Sequence, residues 1–127
     1  MSELKPRFTI LIDERRREAH YAVSGFWAGE DMIRFQSALM QKGKALFTSG
    51  QGFNVLGDMS GLAVQDRVMA GSMRQLIEEA VKLGMKRQAF VITSPLLKMQ
   101  FARLLEGSTT EIFETKGDAL HWLRSAS

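Results

Sequence analysis

The polar residues of this sequence that could do chemistry gather in three short runs, Gly57-Asp58-Met59-Ser60-Gly61, Thr93-Ser94-Pro95 and Thr115-Lys116-Gly117-Asp118. Each follows an apolar run of strand type. In an open α/β sheet, ligands lie beyond the carboxyl ends of the strands. Hydroxyls such as those of Ser60, Thr93 and Ser94, together with helix-terminal amides, could therefore hold an anion or a small ligand. The same residues also have structural uses. Ser94 can cap a helix, Thr115 can end a strand, and Asp58 or Ser60 can satisfy loop amides. Residue type and spacing leave both uses open.

Other chemistries lose their support at the level of sequence. The chain has no cysteine, which excludes a disulfide framework, a zinc ribbon, an iron–sulfur cluster and a thiol nucleophile. Ser49-Gly50-Gln51-Gly52 holds a GxG, but it precedes a strand, whereas the dinucleotide fingerprint follows one and opens a helix. Neither GxxxxGK[ST] nor GxSxG occurs. His20 and His121 lie far apart with no metal-binding spacing. The acidic pairs Glu30-Asp31 and Glu78-Glu79 fall on helical stretches, where neighbours point apart. No catalytic residue, metal ligand or cofactor site is assigned, and the chain is expected to act by binding.

These runs need elements to position them, and the apolar spacing supplies a regular alternation. Residues 7–12 and 19–25 read as two strands of an antiparallel hairpin across the polar link DERRRE. Spacing then turns helical from Gly29 to Lys42, with Met32, Ile33, Gln36, Leu39 and Met40 on one stripe and Glu30 and Asp31 near the start. Gly43 is the expected stop. Residues 53–59 form a short apolar run bounded by glycines, expected as a central strand. A long helix follows from about Asp66 to Leu83, presenting Met69, Met73, Leu76, Ile77, Ala80 and Val81 and ending at Gly84. Residues 87–93 predict a strand, Ser94-Pro95 a cap and first-turn proline, and the helix runs through Leu105 to Gly107. A last strand at 111–115 precedes a helix from Gly117 to Arg124.

The order β-β-α-β-α-β-α-β-α predicts one α/β domain over 1–127. Its expected architecture is a mixed sheet of about five strands with about four helices: an N-terminal antiparallel hairpin, then parallel strands joined by right-handed crossovers. Strand order and helix placement are not legible. Val55, Leu56, Val91 and Ile92 are expected in the core.

A length of 127 residues, nearly half of them apolar, suits one buried core. No run reaches the roughly 20 apolar residues of a membrane span, and the opening lacks the features of a signal peptide. A cytoplasmic location is the expectation. The excess of 17 basic over 14 acidic residues is scattered. Its one run, Arg15-Arg16-Arg17, has acidic neighbours, so no nucleic-acid partner is expected. Eight methionines are the compositional oddity. They suit ordinary core filling or an adaptable surface for an apolar ligand or a partner helix. Phe26-Trp27 could be an exposed anchor or could close the core.

The element order, with NVLGDMSGLAVQD at 54–66 leading into a long helix, resembles the STAS superfamily, the sulfate-transporter and anti-sigma-factor-antagonist domain, and in particular its SpoIIAA-like members. In that family a strand ends in an aspartate, a small loop follows, and a second aspartate precedes a phosphorylatable serine at a helix start. Asp58 looks like the first aspartate, Ser60-Gly61 like the loop and Asp66 like the second. Arg67-Val68 stand where the hydroxyl would be, so no phosphoswitch is expected there; Ser60 and Ser72 are the remaining hydroxyls. Taken on its own, Asp66 is also a helix cap worth about 1 kcal/mol. The resemblance implies a non-catalytic regulatory module acting on a protein partner through the segment Asp58, Met59, Ser60, Gly61, Asp66 and Arg67, with Thr93 and Ser94 as further ligand contacts. Some relatives of the fold imply an alternative, a small apolar or lipid-like ligand held between helices and sheet. A dimer is one expectation for the oligomeric state.

Overall fold

The structure is a computed structural model that describes residues 5–125. Strands β1 (Arg7–Asp13) and β2 (Glu18–Gly25) form the expected antiparallel hairpin. Its turn places Arg17 at a φ of 57°, and the basic run stands in this turn. After β2 come α1 (Gly29–Lys42), a four-residue helix α2 (Lys44–Phe47), β3 (Phe53–Leu62), α3 (Arg67–Leu83), β4 (Met85–Val91), α4 (Pro95–Leu104), β5 (Thr110–Phe113) and α5 (Lys116–Ser125). The sheet order is β1-β2-β3-β4-β5, with every pair after the hairpin parallel.

That order decides where the helices go. Right-handed crossovers between strands laid down one after another carry every connecting helix to the same face. The helices α1 to α4 therefore share one face and bury its main core. Helix α5 follows the last strand, is not a crossover, and packs on the other face over Leu56, Ala89 and Val91 through Ala119 and Leu123. Val55, Leu56, Val91 and Ile92 are buried as expected, Ile92 lying one residue past the end of β4.

Local signals explain most boundaries. The Asp66 carboxylate accepts from the Met69 amide at 2.8 Å and caps α3, and Ser94 caps α4 through the Leu97 amide. Thr115 caps α5 by accepting from the Asp118 amide. Gly84 ends α3 at a φ of 113°, a left-handed geometry that favours glycine. Gly43 is different: its φ is an ordinary −97°, and it is needed because a Cβ would meet the Phe47 ring at 2.4 Å. The α1 stripe is corrected. Phe35 takes the core position beside Tyr21 and Trp27, whereas Ile33 and Met40 are exposed. The apolar spacing was ambiguous by one residue, and the aromatic cluster chose the phase.

Close approach matters most at Gly57, in the middle of β3. A Cβ there would lie 2.9 Å from both the Tyr21 and Phe90 rings, which close over it on the helical face. Beneath those rings runs a buried polar chain. Thr110 donates to the Gln88 side-chain oxygen at 2.9 Å, and the Gln88 amide reaches the Tyr21 hydroxyl at 3.3 Å. Burial pushes the Tyr21 phenol well above its ordinary range, so it remains a neutral hydroxyl.

Helix α5 is fixed to its face by charge as well as packing. Arg124 forms a two-pronged bond to Glu18, both contacts 2.9 Å, and His20 touches the same carboxylate at 2.9 Å. The Asn54 amide reaches the Leu123 carbonyl at 3.3 Å. The Arg87 guanidinium stacks on the Trp122 ring at 4.6 Å and donates to the Trp122 carbonyl. Glu18, expected in the polar link, is instead the first residue of β2 and only 2% exposed. The Arg124 guanidinium, more than burial, sets its ionisation and holds the carboxyl below its usual range.

A pH dependence follows. A carboxyl lowered in the folded state contributes stability that is fully present above its unfolded-state pKa and is lost as pH falls through the folded one. Arg124→Met leaves Glu18 buried without its cation and should cost roughly 2 kcal/mol at neutral pH. Denaturant midpoints of parent and variant should converge on acidification, and a gap constant with pH would exclude this ionic tie.

Candidate functional site

The candidate segment does not form the loop expected from its sequence. Strand β3 continues through it to Leu62, pairing Asp58 with Ala22, Gly61 with Ser24 and Leu62 with Gly25 across an irregularity in the β2 register. Met59 points into the main core with no exposure and cannot touch a partner. Asp58 and Ser60 point to the opposite face, on the half of the sheet that α5 leaves uncovered. There they border a shallow depression of about 330 Å³ with Thr9, Ala22 and Ser24. The Asp58 carboxylate accepts from the Ser60 hydroxyl at 2.6 Å and from the Ser60 amide at 3.0 Å, so its oxygen serves its own strand end.

The connecting segment proper is Ala63 to Asp66, and it is tied down on every side. Gln65 is only 6% exposed. Its side-chain oxygen accepts from the Trp27 amide at 3.0 Å, and its side-chain nitrogen donates to the Gly25 and Ala63 carbonyls. Its own backbone exchanges two bonds with the side chain of Gln100 on α4, at 3.1 and 2.6 Å. Two glutamines thus fasten the turn to β2 and to α4, while Asp66 fastens it to α3. Such a turn cannot reorganise cheaply, because each buried amide would lose its partner. Its outward residues are therefore presented in fixed positions.

Those outward residues are Val64, Arg67 and Val68, the last 80% exposed. Across a groove of about 620 Å³ between α3 and α4 stand Met99 and Arg103, with Gln65 and Gln100 on the floor. Leu96 and Met99 on α4 are open to solvent, at 68% and 66% exposure. Among the described residues neither Arg67 nor Arg103 forms an ion pair. The surface thus sets exposed apolar side chains and two arginines around a glutamine floor, and exposed apolar groups beside arginine suit a docking patch.

The sequence-derived set therefore divides between two surfaces. Asp58, Ser60 and Gly61 border the uncovered sheet face. Asp66 and Arg67 belong to the helical face, where Ser94 also caps α4; Thr93 is exposed between β4 and α4. Met99, Gln100, Arg103 and the anchor Gln65 had no motif to reveal them. Leu96 and Met99 break the helical spacing of α4, and that break was the one available signal.

Two small cavities lie between the sheet and α1 and α3, the larger opening to the surface at Met40 and Leu83. One is about 10 Å³ beside Trp27 and Met69, the other about 70 Å³ beside Tyr21, Met73 and Gln88. Ligand pockets for drug-sized molecules start near roughly 300 Å³. Met32, Met59, Met69, Met73 and Met85 are core filling. Trp27 is buried while Phe26 is partly exposed, so that pair divides between the two expectations. Among the described residues there is no group of three or more acidic or histidine side chains that could hold a metal ion, and no helix long and apolar enough to cross a membrane.

One solved structure superposes along nearly the whole chain: an uncharacterised protein of the DUF3478 family with a SpoIIAA-like fold, from Shewanella loihica PV-4. It is 20% identical, with a TM-score of 0.72, over 97% of this chain and 98% of that one. The chain has a SpoIIAA-like fold. An anti-sigma factor antagonist from Mycobacterium paratuberculosis is also similar, at 19% identity and a TM-score of 0.59, over 93% of this chain and 95% of that one. No protein-family model matches the sequence, and no curated protein matches it. In this SpoIIAA-like fold the residue after the capping Asp66 is Arg67, an exposed cation.

Asp66 and Arg67 should separate scaffold from surface. Asp66→Ala removes the α3 cap and should lower stability by about 1 kcal/mol in chemical unfolding. Arg67→Ala should stay within about 0.5 kcal/mol of the parent, as exposed positions do. Equal losses at both would contradict the capping assignment.

Proposed function

We propose that this chain is a small non-catalytic regulatory module of the STAS type, working through protein–protein contact at the start of α3 and the adjoining groove of α4. The observation that carries this reading is the pinned turn: Gln65, Gln100 and Asp66 spend their polar groups holding it still, and Val64, Arg67, Val68 and Met99 are left facing outward. A pre-ordered patch loses little side-chain and loop entropy on docking. The fold neighbour described as an anti-sigma factor antagonist supports a regulatory partner. Because Arg67 and Val68 cannot take phosphate, the contact at the helix start is switched by something other than modification there. Ser60 sits on the far face, bonded to Asp58, and Ser72 donates to the Val68 carbonyl within α3.

The alternative, a carrier of a small apolar or lipid-like ligand, draws its support from the 70 Å³ cavity and the methionines near it. It requires α1 and α3 to part, since a cleft of about 70 Å³ admits only a few heavy atoms.

A partner recovered by affinity capture from the source cell, then purified, tests the first reading. Arg67→Glu and Met99→Asp should each weaken its binding by about tenfold, with melting temperatures near the parent's. Substitution of the remote Leu11 should leave binding unchanged. A partner indifferent to Arg67 and Met99, or a co-purifying apolar molecule in native mass spectrometry with no protein partner, would favour the alternative.

A further inference from the structure

The two edges of the sheet are built differently. Strand β5 is four residues long and carries an exposed Glu111. Strand β1 is seven residues long and pairs with β2 at every position without a bulge. Between Arg7 and Asp13 it has neither charge nor proline. Among the described residues no strand lies on its far side. Phe8, Ile10 and Ile12 face the main core but are only half-buried, and Leu11 is 64% exposed on the uncovered face. An edge of this length and composition is a template for another strand unless charge, proline, a bulge or a covering element blocks it. Among the described residues the interior of β1 has no such block, whereas β5 is short and charged.

We propose that β1 pairs antiparallel with β1 of a second copy of this chain, across a two-fold axis at Ile10, to make one continuous sheet through both copies. The strand's own charges select that occupant. With the axis at Ile10, Arg7 lies opposite Asp13 of the second copy and Asp13 opposite its Arg7, giving two cross-strand ion pairs from one sequence. On the helical face Phe8 meets Ile12 of the second copy and Ile10 meets its counterpart, so the half-buried residues of both cores cover one another. On the uncovered face Leu11 meets Thr9. Other registers fit less well. A slip of one residue sets core-facing side chains against outward ones. An axis at Leu11 brings Arg7 opposite Arg15, and an axis at Thr9 brings Arg7 opposite Leu11. One Asp13 oxygen accepts from the Arg16 amide at 3.1 Å within the hairpin turn, while the other meets the Arg16 guanidinium only at 3.8 Å, a weak competitor for Arg7 of the second copy. This interface is remote from the α3–α4 groove and does not rest on the function proposed for it.

Sedimentation equilibrium of the purified chain should show a reversible monomer–dimer equilibrium. Arg7→Glu and Asp13→Arg should each raise the dimer dissociation constant by about tenfold, because each reverses both symmetric pairs, and the combined swap should return it near the parent value. The chain has no cysteine, so introduced thiols report register without background. Opposed Cα atoms in an antiparallel pair lie about 4.5–5.5 Å apart, within disulfide reach. The double variant Thr9→Cys, Leu11→Cys should therefore oxidise rapidly to a covalent dimer, and Leu11→Cys alone should not. Should Asp13→Arg unfold, Arg7→Glu and the cross-link still decide. A monomer at every accessible concentration, a dimer that cross-links equally through Leu11→Cys alone, or a combined swap in a folded protein that fails to restore association would overturn the proposal.

Discussion

Strand β3 has parallel neighbours on both edges and apolar side chains on both faces, so neither face can be left to water. That constraint organises the molecule. Phe53, Val55 and Met59 need cover on one side and Leu56 on the other. The crossover helices can supply only the first, since right-handed connections in a sequential strand order all fall on one face. Helix α5 supplies the second. The polar residues at the strand starts, Glu18, Asn54 and Arg87, are there to hold it. Gly57 completes the arrangement by letting the Tyr21 and Phe90 rings settle directly on the backbone.

One helix cannot cover five strands, and the consequence is an uneven exterior. Over β3, β4 and β5 the second face is closed, while over β1 and β2 it stays open, which exposes Leu11 and leaves Asp58 and Ser60 at the margin of a shallow depression. The helical face is different in kind. There the chain between β3 and α3 is held by glutamine side chains rather than by a sheet ladder, and holding the backbone from within frees the outer side chains for contact. Rigidity and exposure coincide at Arg67 and Val68 for that reason.

Likeness to solved structures at about one residue in five carries the fold and stops there. An arginine and a valine follow the capping aspartate, and neither side chain can take phosphate. The start of α3 therefore carries a fixed positive charge at Arg67. Any partner reading this helix start meets a constant electrostatic surface.

The sequence by itself determined the order of the elements, the hairpin, the caps at Asp66 and Ser94 and the left-handed stop at Gly84. These depend on interactions within a few residues, so residue type and spacing suffice to reveal them. It also marked the stretch around Asp58 and Asp66, though as a single loop. Only the tertiary structure decided that β3 runs on through Ser60 and Gly61, because strand continuation there depends on pairing with Ser24 and Gly25, far away in sequence. The same holds for the inward turn of Met59, the choice of Phe35 over Ile33 for the core, the tie of Glu18 to Arg124 across 106 positions, and the glutamine clasp of Gln65 with Gln100. Each depends on a partner brought close by the fold, and a glutamine or a glutamate carries no sign in the sequence of which partner it will find.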